Sequence, residues 1–368
     1  MRWRAPTIRS ATATRPSASP RSSEPRSKEP FVKFLVTGTA GFIGFHVASK
    51  LLQAGHEVLG IDNFSTYYDV ALKERRNDIL SNHANFRVAR VSIDDMTAFA
   101  AEWEAFRPDV VIHLAAQAGV RYSIDYPEAY VQSNLIGTFN VLELARRTRP
   151  RHLLAASTSS VYGANTNMPF TEDQKVATPL TFYAATKGAT ELMGHSYAHL
   201  FGVPTTFFRF FTVYGPWGRP DMALFKFARA IDRGEPLDVY NRGEMVRDFT
   251  YVEDLAKSVV RLATDAIPGT EPVEGDSLSP VAPWRVVNIG QGEPVKLMDY
   301  IAEAERAMGK PAILNLMPMQ QGDVPATEAS HALLKRLTGY APNTPVSVGV
   351  PAFIRWYKEH YATARGID

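Results

Sequence analysis

The sequence predicts an α/β fold, a doubly wound parallel sheet followed by a smaller mixed α/β part. Three observations predict it. From residue 31 onward, short apolar runs alternate with segments of helical periodicity, which is typical of βαβ units and a parallel sheet. A glycine-rich loop joins the first of these strands to the first helix. After Gly215, proline and glycine divide the chain into shorter elements. The fold class is therefore Rossmann-type, with a C-terminal substrate domain.

Strands and helices alternate through the first half of the chain. The predicted strands span residues 31–37, 57–61, 86–91, 110–114, 152–157 and 205–210, and the predicted helices span residues 42–54, 95–106, 134–147 and 183–200. A segment at 268–283 has no periodic pattern and is predicted to be a solvated loop. We expect a dinucleotide-binding domain at 31–215 and a substrate-binding part at 216–368, with the chain crossing between the two.

Composition and charge exclude several classes of protein. The chain of 368 residues has no cysteine, which excludes disulfides, a thiol nucleophile and a thiolate metal site. Residues 1–30 hold six Arg and one Lys against two Glu, which is a charge of +5. Since the net charge of the whole chain is +2, the remaining residues carry a net charge of −3. An acidic body with a basic tail does not indicate nucleic-acid binding. The tail, poor in apolar residues, is predicted to be disordered, with an organellar transit peptide as the alternative.

A glycine-rich loop follows the first predicted strand. Gly38, Gly41 and Gly44 are spaced so that the backbone turns tightly, approaches a diphosphate and lets the next helix pack close to the sheet. Free N–H groups at the helix N-terminus attract the anion. Asp62 ends the second strand, where a carboxylate accepts the adenosine ribose hydroxyls and repels a 2′-phosphate. The sequence therefore predicts a bound dinucleotide, NAD rather than NADP.

A tyrosine and a lysine share one face of a later helix. Tyr183 and Lys187 are four residues apart, which is about one helical turn. Free tyrosine has a pKa near 10 and is a poor base at neutral pH. A neighbouring ammonium and the positive ring of a bound dinucleotide lower that pKa. The spacing alone is common on exposed helices, but behind a dinucleotide loop it predicts a catalytic pair.

At this point the chain resembles the extended short-chain dehydrogenase/reductase family and, more narrowly, its UDP-glucuronate 4-epimerases. The resemblance extends from about residue 31 to the C-terminus. Its most specific segments are DN (62–63), YYD (67–69), AAQAGVRYS (115–123), FFTVYGPWGRPDM (210–222) and RDFTYV (247–252).

The resemblance implies NAD as the cofactor and a set of residues that contact it. These residues are Gly38, Gly41, Phe42, Ile43, Gly44, Asp62, Asn63, Ile93, Leu114, Ala115, Ala116 and Lys187. The family often has Asp at the end of the third strand, contacting adenine, where this chain has Ser92 and Ile93. We therefore expect one adenine contact to be weaker.

The resemblance also implies the reaction. Tyr183, with Lys187 beside it and Thr158 relaying the proton, would deprotonate the 4-hydroxyl of a UDP-hexuronic acid while hydride passes from C4 to NAD. The ring of the 4-keto sugar then rotates about the diphosphate link, and hydride returns to its other face. The expected function is interconversion of UDP-glucuronate and UDP-galacturonate, with no net redox change.

A further set of residues is implied to bind the UDP-sugar. It comprises Arg121, Thr158, Ser159, Ser160, Thr212, Arg219, Met222, Phe225, Tyr240, Arg247 and Asp323. Within it, Arg247 is assigned to the diphosphate and Arg219 to the sugar or the diphosphate, because a guanidinium fork suits phosphate oxygens. Tyr240 and the segment 222–225 would border the uracil, and Asp323 would accept a uridine-ribose hydroxyl.

The serine pair bears on the type of reaction. Related dehydratases and decarboxylases carry acidic residues where this chain has Ser159 and Ser160, whose hydroxyls are neither strong acids nor strong bases near neutral pH. We expect these hydroxyls, with that of Thr212, to hold the uronate carboxylate in an orientation that prevents loss of CO₂ from the 4-keto sugar.

Three alternatives stay open: a 4-epimerase of UDP-glucose and UDP-galactose, a UDP-glucuronate decarboxylase, and a non-catalytic NAD-binding regulator, which would not need Tyr183, Lys187 and Thr158. The resemblance implies a homodimer, and we expect a cytoplasmic protein with no membrane or nucleic-acid partner. No metal is expected, because His195 and His199 lack the neighbouring Glu of a zinc motif and no third ligand is evident.

Overall fold

A seven-stranded parallel sheet forms the centre of the protein. The computed structural model describes residues 31–269 and 271–362. In chain order the strands are β1 (Lys33–Thr37), β2 (Glu57–Ile61), β3 (Phe86–Ala89), β4 (Val110–His113), β5 (His152–Thr158), β6 (Thr205–Phe210), β7 (Thr212–Tyr214), β8 (Pro236–Val239), β9 (Val246–Tyr251), β10 (Trp284–Ile289), β11 (Pro294–Lys296) and β12 (Ile313–Leu316). The main sheet has the order β10-β6-β5-β4-β1-β2-β3. This order reverses between β1 and β4, which confirms the predicted doubly wound fold and marks the place where such folds bind ligands.

Helices cover both faces of this sheet. They are α1 (Phe42–Gln53), α2 (Val70–Ser81), α3 (Met96–Phe106), α4 (Tyr122–Asp125), α5 (Pro127–Tyr130), α6 (Gly137–Thr148), α7 (Phe182–Phe201), α8 (Ala223–Arg233), α9 (Val252–Asp265), α10 (Leu297–Met308), α11 (Ala332–Thr338) and α12 (Val346–Trp356). Apolar side chains of α1, α9 and α11 form one core with the sheet. Those of α3, α6 and α7 form the core on its other face. Single turns of π-helix span Val131–Ile136 and Tyr357–Ala362, and 3₁₀ turns span Ser159–Tyr162 and Tyr240–Gly243.

The strands of the main sheet are apolar because helices cover them on both faces. Every residue of β4 and β5 is buried, as is all of β1 except Lys33. Phe34 of β1 pairs with Val58 of β2 and with Val110 of β4, so β1 lies between them. Near-continuous apolar runs are typical of such buried parallel strands. The register brings the carboxyl ends of β1, β2, β4 and β5 to one edge of the sheet.

The C-terminal part of the chain forms smaller sheets and also returns to the large one. Strands β11, β9 and β7 form a three-stranded sheet, and β12 pairs with β8. A separate apolar core joins α8, α10 and α12. Strand β10 pairs with β6, so a segment beyond residue 215 completes the main sheet. A C-terminal segment thus belongs to the main sheet, while the division into two domains stays a prediction.

The segment at 268–283 is a loop, as predicted, and most of its described residues are exposed or partly exposed. Asp276 departs from the prediction, because its carboxylate is fully buried and pairs with Arg285 at 3.0 Å. The predicted disordered tail at 1–30 lies outside the described residues. Within the described ranges, none of the helices has both the length and the apolar character needed to cross a membrane.

Helix α7 lies so close to the sheet that one of its residues must be glycine. A Cβ at Gly194 would lie 2.2 Å from a ring carbon of Phe207 on β6. We predict that Gly194→Ala lowers the free energy of unfolding by roughly 1–3 kcal/mol, because the helix must move away from the strand. The measurement is urea denaturation followed by circular dichroism.

The matched control is on the same helix. A Cβ at Gly188 would meet nothing within 4 Å. Gly188→Ala should therefore raise the free energy of unfolding by roughly 0.5–1 kcal/mol, the usual gain of Ala over Gly inside a helix. Equal effects of the two substitutions would contradict the close contact.

Candidate active site

A cavity of about 480 Å³ lies at the carboxyl edge of the main sheet. The glycine-rich loop after β1, the ends of β2, β4 and β5, helix α7 and the loop after β7 all contribute to its walls. It therefore occupies the point where the strand order reverses, as expected for a doubly wound fold.

The glycine loop leaves no room for side chains. Gly38 has φ +80°, and a Cβ there would lie 2.9 Å from the backbone nitrogen of Ala115. A Cβ at Gly44 would lie only 2.0 Å from the carbonyl oxygen of Gly38. Gly41 is the N-cap residue of α1 and provides no side-chain cap, so the first N–H groups of that helix are left for a ligand. This cradle fits a diphosphate.

Asp62 lies at the end of β2 beside the same loop. Its carboxylate oxygens accept hydrogen bonds from the backbone N–H of Ala40 (2.9 Å) and of Phe64 (2.8 Å). Burial raises its pKa, and these N–H groups, Lys73 and Arg76 oppose the rise. The side chain lines the cavity. A carboxylate oriented in this way has lone pairs left for a ribose diol.

Tyr183 lies in the first turn of α7 and reaches the cavity. Thr158, at the end of β5, acts on this phenol and opposes the effect of burial on its pKa. Thr158 also accepts the backbone N–H of Ser160 at 3.2 Å, which fixes its hydroxyl. At the helix start, the side chain of Thr181 accepts the N–H of Ala184, and the hydroxyl of Ser123 accepts that of Tyr183, both at 3.2 Å. The helix cap thus determines where the phenol lies.

Lys187 follows one turn later and is almost fully buried. Its Nζ donates to the carbonyl oxygen of Ala156 at 2.9 Å. Burial lowers the pKa of Lys187 to about 8, and the charge of Glu191 opposes that fall.

In the protein alone, burial raises the pKa of the Tyr183 phenol, and Thr158 and the charge of Arg219 oppose this rise. The Lys187 ammonium is directed at the carbonyl of Ala156. The predicted lowering of the phenol pKa by Lys187 and the positive ring of a bound dinucleotide stays a prediction.

Arg219 approaches the site from the loop after β7. Its Nε and one terminal nitrogen donate to the two carboxylate oxygens of Asp221, at 3.0 and 2.6 Å. The hydroxyl of Tyr67 donates to the same carboxylate at 3.2 Å. Arg219 is thus held by Asp221 in a fixed orientation, and Tyr67 ties this loop to the one that follows β2.

A second cavity of about 180 Å³ adjoins the first, and Ser159, Ser160 and Thr212 line both. Arg247 lines the second one, with a terminal nitrogen 2.6 Å from the carbonyl oxygen of Val324. Burial lowers the pKa of Arg247, opposed by the charge of Asp323. A guanidinium whose hydrogen bonds go to carbonyl oxygens keeps its full charge for an anion.

Arg121 and Tyr240 lie beside this second cavity. Arg121 pairs with Asp323 at 3.2 Å, and its guanidinium lies 4.7 Å from the centre of the Tyr240 ring. These three predicted substrate residues therefore form one cluster.

Most of the predicted site residues come together in the main cavity. Its walls include every residue predicted to contact the cofactor and all three predicted catalytic residues, with the substrate residues Ser159, Ser160, Thr212, Arg219 and Met222. Their roles as contacts stay predictions.

Phe225 lies in neither cavity. It is 1% exposed, and its ring packs edge-on against four aromatic rings at the C-terminal end of the chain. The prediction that the Phe225 side chain borders the uracil was wrong, because this face of α8 is turned into the protein core.

Several cavity residues were missed in the sequence. Tyr67, Tyr68 and Lys73 line the cavity but come from α2 and the loop before it, where the sequence has no clear periodicity. Asp221 could have been found from its charge, opposite to that of Arg219 two residues earlier. The rejected histidine pair has other partners, since His195 bonds the hydroxyl of Ser279 at 2.9 Å. No group of three His, Asp or Glu side chains in the described ranges is placed to share a metal ion.

Comparisons with known proteins agree with this geometry. The family model described as the NAD dependent epimerase/dehydratase family matches residues 34–273. A probable UDP-glucuronate 4-epimerase of Rhizobium meliloti (strain 1021) is 54% identical over 339 residues, which cover 90% of this chain and 99% of the relative. UDP-glucuronate 4-epimerase 2 of Arabidopsis thaliana is 41% identical over 335 residues, covering 90% of this chain and 76% of that protein.

A solved structure is similar over the same region. The crystal structure of UDP-glucuronic acid 4-epimerase from Bacillus cereus, in complex with UDP-glucuronic acid and NAD, superposes with a TM-score of 0.80. The sequence identity is 32%, and the match covers 89% of this chain and 100% of that one.

The glycine cradle gives a test of dinucleotide binding. We predict that Gly44→Ala weakens the binding of NAD by at least about tenfold, which is 1.4 kcal/mol, because the new methyl group would clash with the Gly38 carbonyl. The measurement is calorimetric titration with NAD, alongside denaturation to show that the variant folds. Gly269→Ala is the control, since a Cβ there would meet nothing within 4 Å. Unchanged affinity in Gly44→Ala would refute the assignment of the loop.

Proposed function

Since this chain belongs to the NAD dependent epimerase/dehydratase family, we propose that it is a UDP-glucuronate 4-epimerase that uses NAD. The enzyme interconverts UDP-glucuronate and UDP-galacturonate. The single observation that carries this proposal is the shared cavity, in which the glycine loop, Asp62, Tyr183, Thr158 and Lys187 all take part.

The residues present fit NAD. The loop has no space for a Cβ at Gly38 or Gly44, and the N-terminus of α1 is free for a diphosphate. Asp62 favours a free ribose 2′-hydroxyl over a phosphorylated one. When bound, NAD supplies an acceptor for the hydrogen and electron pair that leave sugar C4, and a donor that returns them.

Tyr183 and Thr158 handle the proton at O4 of the sugar. Both line the cavity, and Thr158 acts on the phenol, so a sugar hydroxyl placed between them can pass its proton to Tyr183. Tyr183 removes the proton when the alcohol becomes a ketone and gives it back when the ketone is reduced. Because burial raises the phenol pKa, this step needs positive charge nearby, and Arg219 is one source of it.

The two cavities divide the substrate between them. Arg247 donates its hydrogen bonds to carbonyl oxygens and not to a carboxylate, so its positive charge is left for an anion. It therefore suits the UDP diphosphate. Ser159, Ser160 and Thr212, which line both cavities, suit the sugar between diphosphate and cofactor. Their hydroxyls can hold a uronate carboxylate without acting as an acid, which favours epimerisation over decarboxylation.

A product assay tests the function. We predict that the protein converts UDP-glucuronate to UDP-galacturonate, followed by proton NMR with and without added NAD. Tyr183→Phe should lower the rate about 10²–10⁴-fold, the usual contribution of a general acid–base group. Tyr126→Phe is the matched control, because this half-exposed ring lies outside the cavity.

The other outcomes of this assay separate the alternatives. Release of CO₂ with a UDP-pentose would indicate a decarboxylase. Conversion of UDP-glucose alone would indicate a neutral-sugar epimerase. Binding of NAD with no conversion of either substrate would indicate a regulator.

We further propose a homodimer formed through α6 and α7. Phe139 of α6 and Phe182, Leu192 and Leu200 of α7 are 43%, 40%, 73% and 65% exposed. On α7 they lie on the side opposite to Lys187, so an apolar surface backs the catalytic helix. A second copy that covers it removes this surface from water. A cytoplasmic location stays a prediction.

The dimer has its own test. We predict that Leu192→Glu gives a monomer in size-exclusion chromatography with light scattering, while the wild type elutes as a dimer. Val348→Glu, at a similarly exposed valine (58%) on α12, should leave the dimer intact. A monomeric wild type, or equal disruption by both variants, would contradict the proposed interface.

A further inference from the structure

A buried carboxylate lies one helical turn beyond Lys187. Glu191 is only 3% exposed. Its two oxygens accept hydrogen bonds from Nε and a terminal nitrogen of Arg209 on β6, at 3.0 and 2.7 Å. The hydroxyl of Ser157 donates to it as well. A buried ion pair of this kind is weak evidence for stability alone, so its position next to a catalytic lysine calls for another reason.

Helix α7 is hydrogen-bonded to the end of β5 at two successive residues, and the next residue of the strand acts on Tyr183. The carbonyl of Ala156 accepts Nζ of Lys187, the hydroxyl of Ser157 donates to Glu191, and Thr158 opposes the effect of burial on the pKa of the Tyr183 phenol. The carboxylate is therefore fixed to the same piece of strand as the two groups that the reaction uses. A shift of Glu191 would therefore move Ser157 and, with it, the neighbouring strand residues Ala156 and Thr158.

Glu191 lies one helical turn after Lys187 on the same face of α7, and other titratable groups surround the ammonium. From β4, His113 faces the ammonium, but its pKa is lowered to about 3 by burial and by Lys187, so it is neutral. From β6, Arg209 offsets part of the negative charge of Glu191. Tyr183 on α7 is a neutral phenol until the reaction begins. Glu191 is the carboxylate that opposes the effect of burial on Lys187.

Two further titratable groups act on Arg209. Its guanidinium lies 4.8 Å from the centre of the Tyr162 ring. Glu172, whose pKa burial raises to about 7, also interacts with Arg209. Any measurement against pH must therefore distinguish the titration of Tyr162 and Glu172 from that of Lys187.

We propose that Glu191 is a positioning residue that keeps the buried Lys187 ammonium charged and directed at β5, and that Arg209 limits this effect. The proposal rests on the proposed epimerase function, because the positive charge of Lys187 is used in that reaction. Removing the carboxylate and removing the guanidinium should then act on Lys187 in opposite directions. A purely structural ion pair would give the same loss whichever partner is removed.

The first experiment compares pH profiles of epimerisation. In Glu191→Gln, which keeps the shape and an acceptor for Ser157, the alkaline limb of kcat/KM should move to lower pH by about one unit or more. In Arg209→Gln the limb should move to higher pH. The double variant should lie between the two, and it has no unpaired buried cation beside the strand. If Glu191→Gln fails to fold, the other two variants still decide the sign.

The second experiment needs no activity and no cofactor. The pKa of Lys187 in the folded protein, about 8, lies below the 10.5 of the free side chain, so unfolding takes up a proton between these values and stability rises with pH there. Glu191→Gln should start this rise at lower pH, measured as the free energy of unfolding against pH. In a Lys187→Met background the same substitution should leave the pH dependence unchanged, which removes Tyr162 and Glu172 as causes.

The outcomes separate the two proposals. Opposite shifts of the alkaline limb, with a difference in unfolding that disappears in Lys187→Met, would establish the role of Glu191. Equal loss of activity at every pH in both single variants would overturn it, as would a pH effect that persists in Lys187→Met. Absence of epimerisation in the wild type, with the unfolding result as expected, would refute the function and leave the charge coupling standing.

Discussion

The site depends on the close approach of helix α7 to strands β5 and β6. At Gly194 the helix lies so near Phe207 that no Cβ fits, and from there the helix axis carries Glu191, Lys187 and Tyr183 along the strand ends. The buried side chains of Glu191 and Lys187 are thereby hydrogen-bonded to the sheet, and the Tyr183 side chain lines the cavity. The reacting groups are thereby placed on rigid elements, and only the substrate side of the cavity is formed by loops.

The second constraint is charge. Arg76 is fully buried on α2, and its guanidinium donates to the carbonyl oxygens of Ala40 and Trp217 and to the hydroxyl of Tyr68. Arg247 likewise donates to backbone carbonyls. Arg76 lines neither cavity, so its charge holds together the chain segments to which it donates. Arg247 lines the second cavity, where the proposed use of its charge is to bind the diphosphate of the substrate.

The sequence predicted the elements whose residues follow a simple pattern. The strands from β1 to β6 agree with apolar runs to within a few residues, and the glycine loop lies where the spacing placed it. Helix α2 was missed because it buries Lys73, Arg76 and Asn77 where an amphipathic pattern would have apolar residues. Of these polar residues, Lys73 lines the cavity, and Arg76 is buried because it donates to the carbonyl oxygens of Ala40 and Trp217.

Errors at single residues have a similar origin. Phe225 belongs to a strongly amphipathic helix, and periodicity alone does not tell whether its apolar face meets a ligand or the core. The burial of the Asp276 side chain could not be foreseen from the sequence, because its partner, Arg285, lies nine residues away on strand β10. Contacts between a loop and a strand leave no periodic trace in sequence. The cluster of Arg121, Tyr240 and Asp323 needed the resemblance, because these residues are far apart in the chain.

The ionisation of Tyr183 joins these constraints. In the protein alone, burial raises the phenol pKa, and a nearby cation that opposes it is Arg219, on the loop after β7. That guanidinium is oriented by Asp221, which Tyr67 holds from the loop after β2. The charge that acts on the phenol is thus held in place by loops from both sides of the cavity. In the proposed epimerase, such a base suits a reaction whose 4-keto intermediate must not leave before hydrogen is returned.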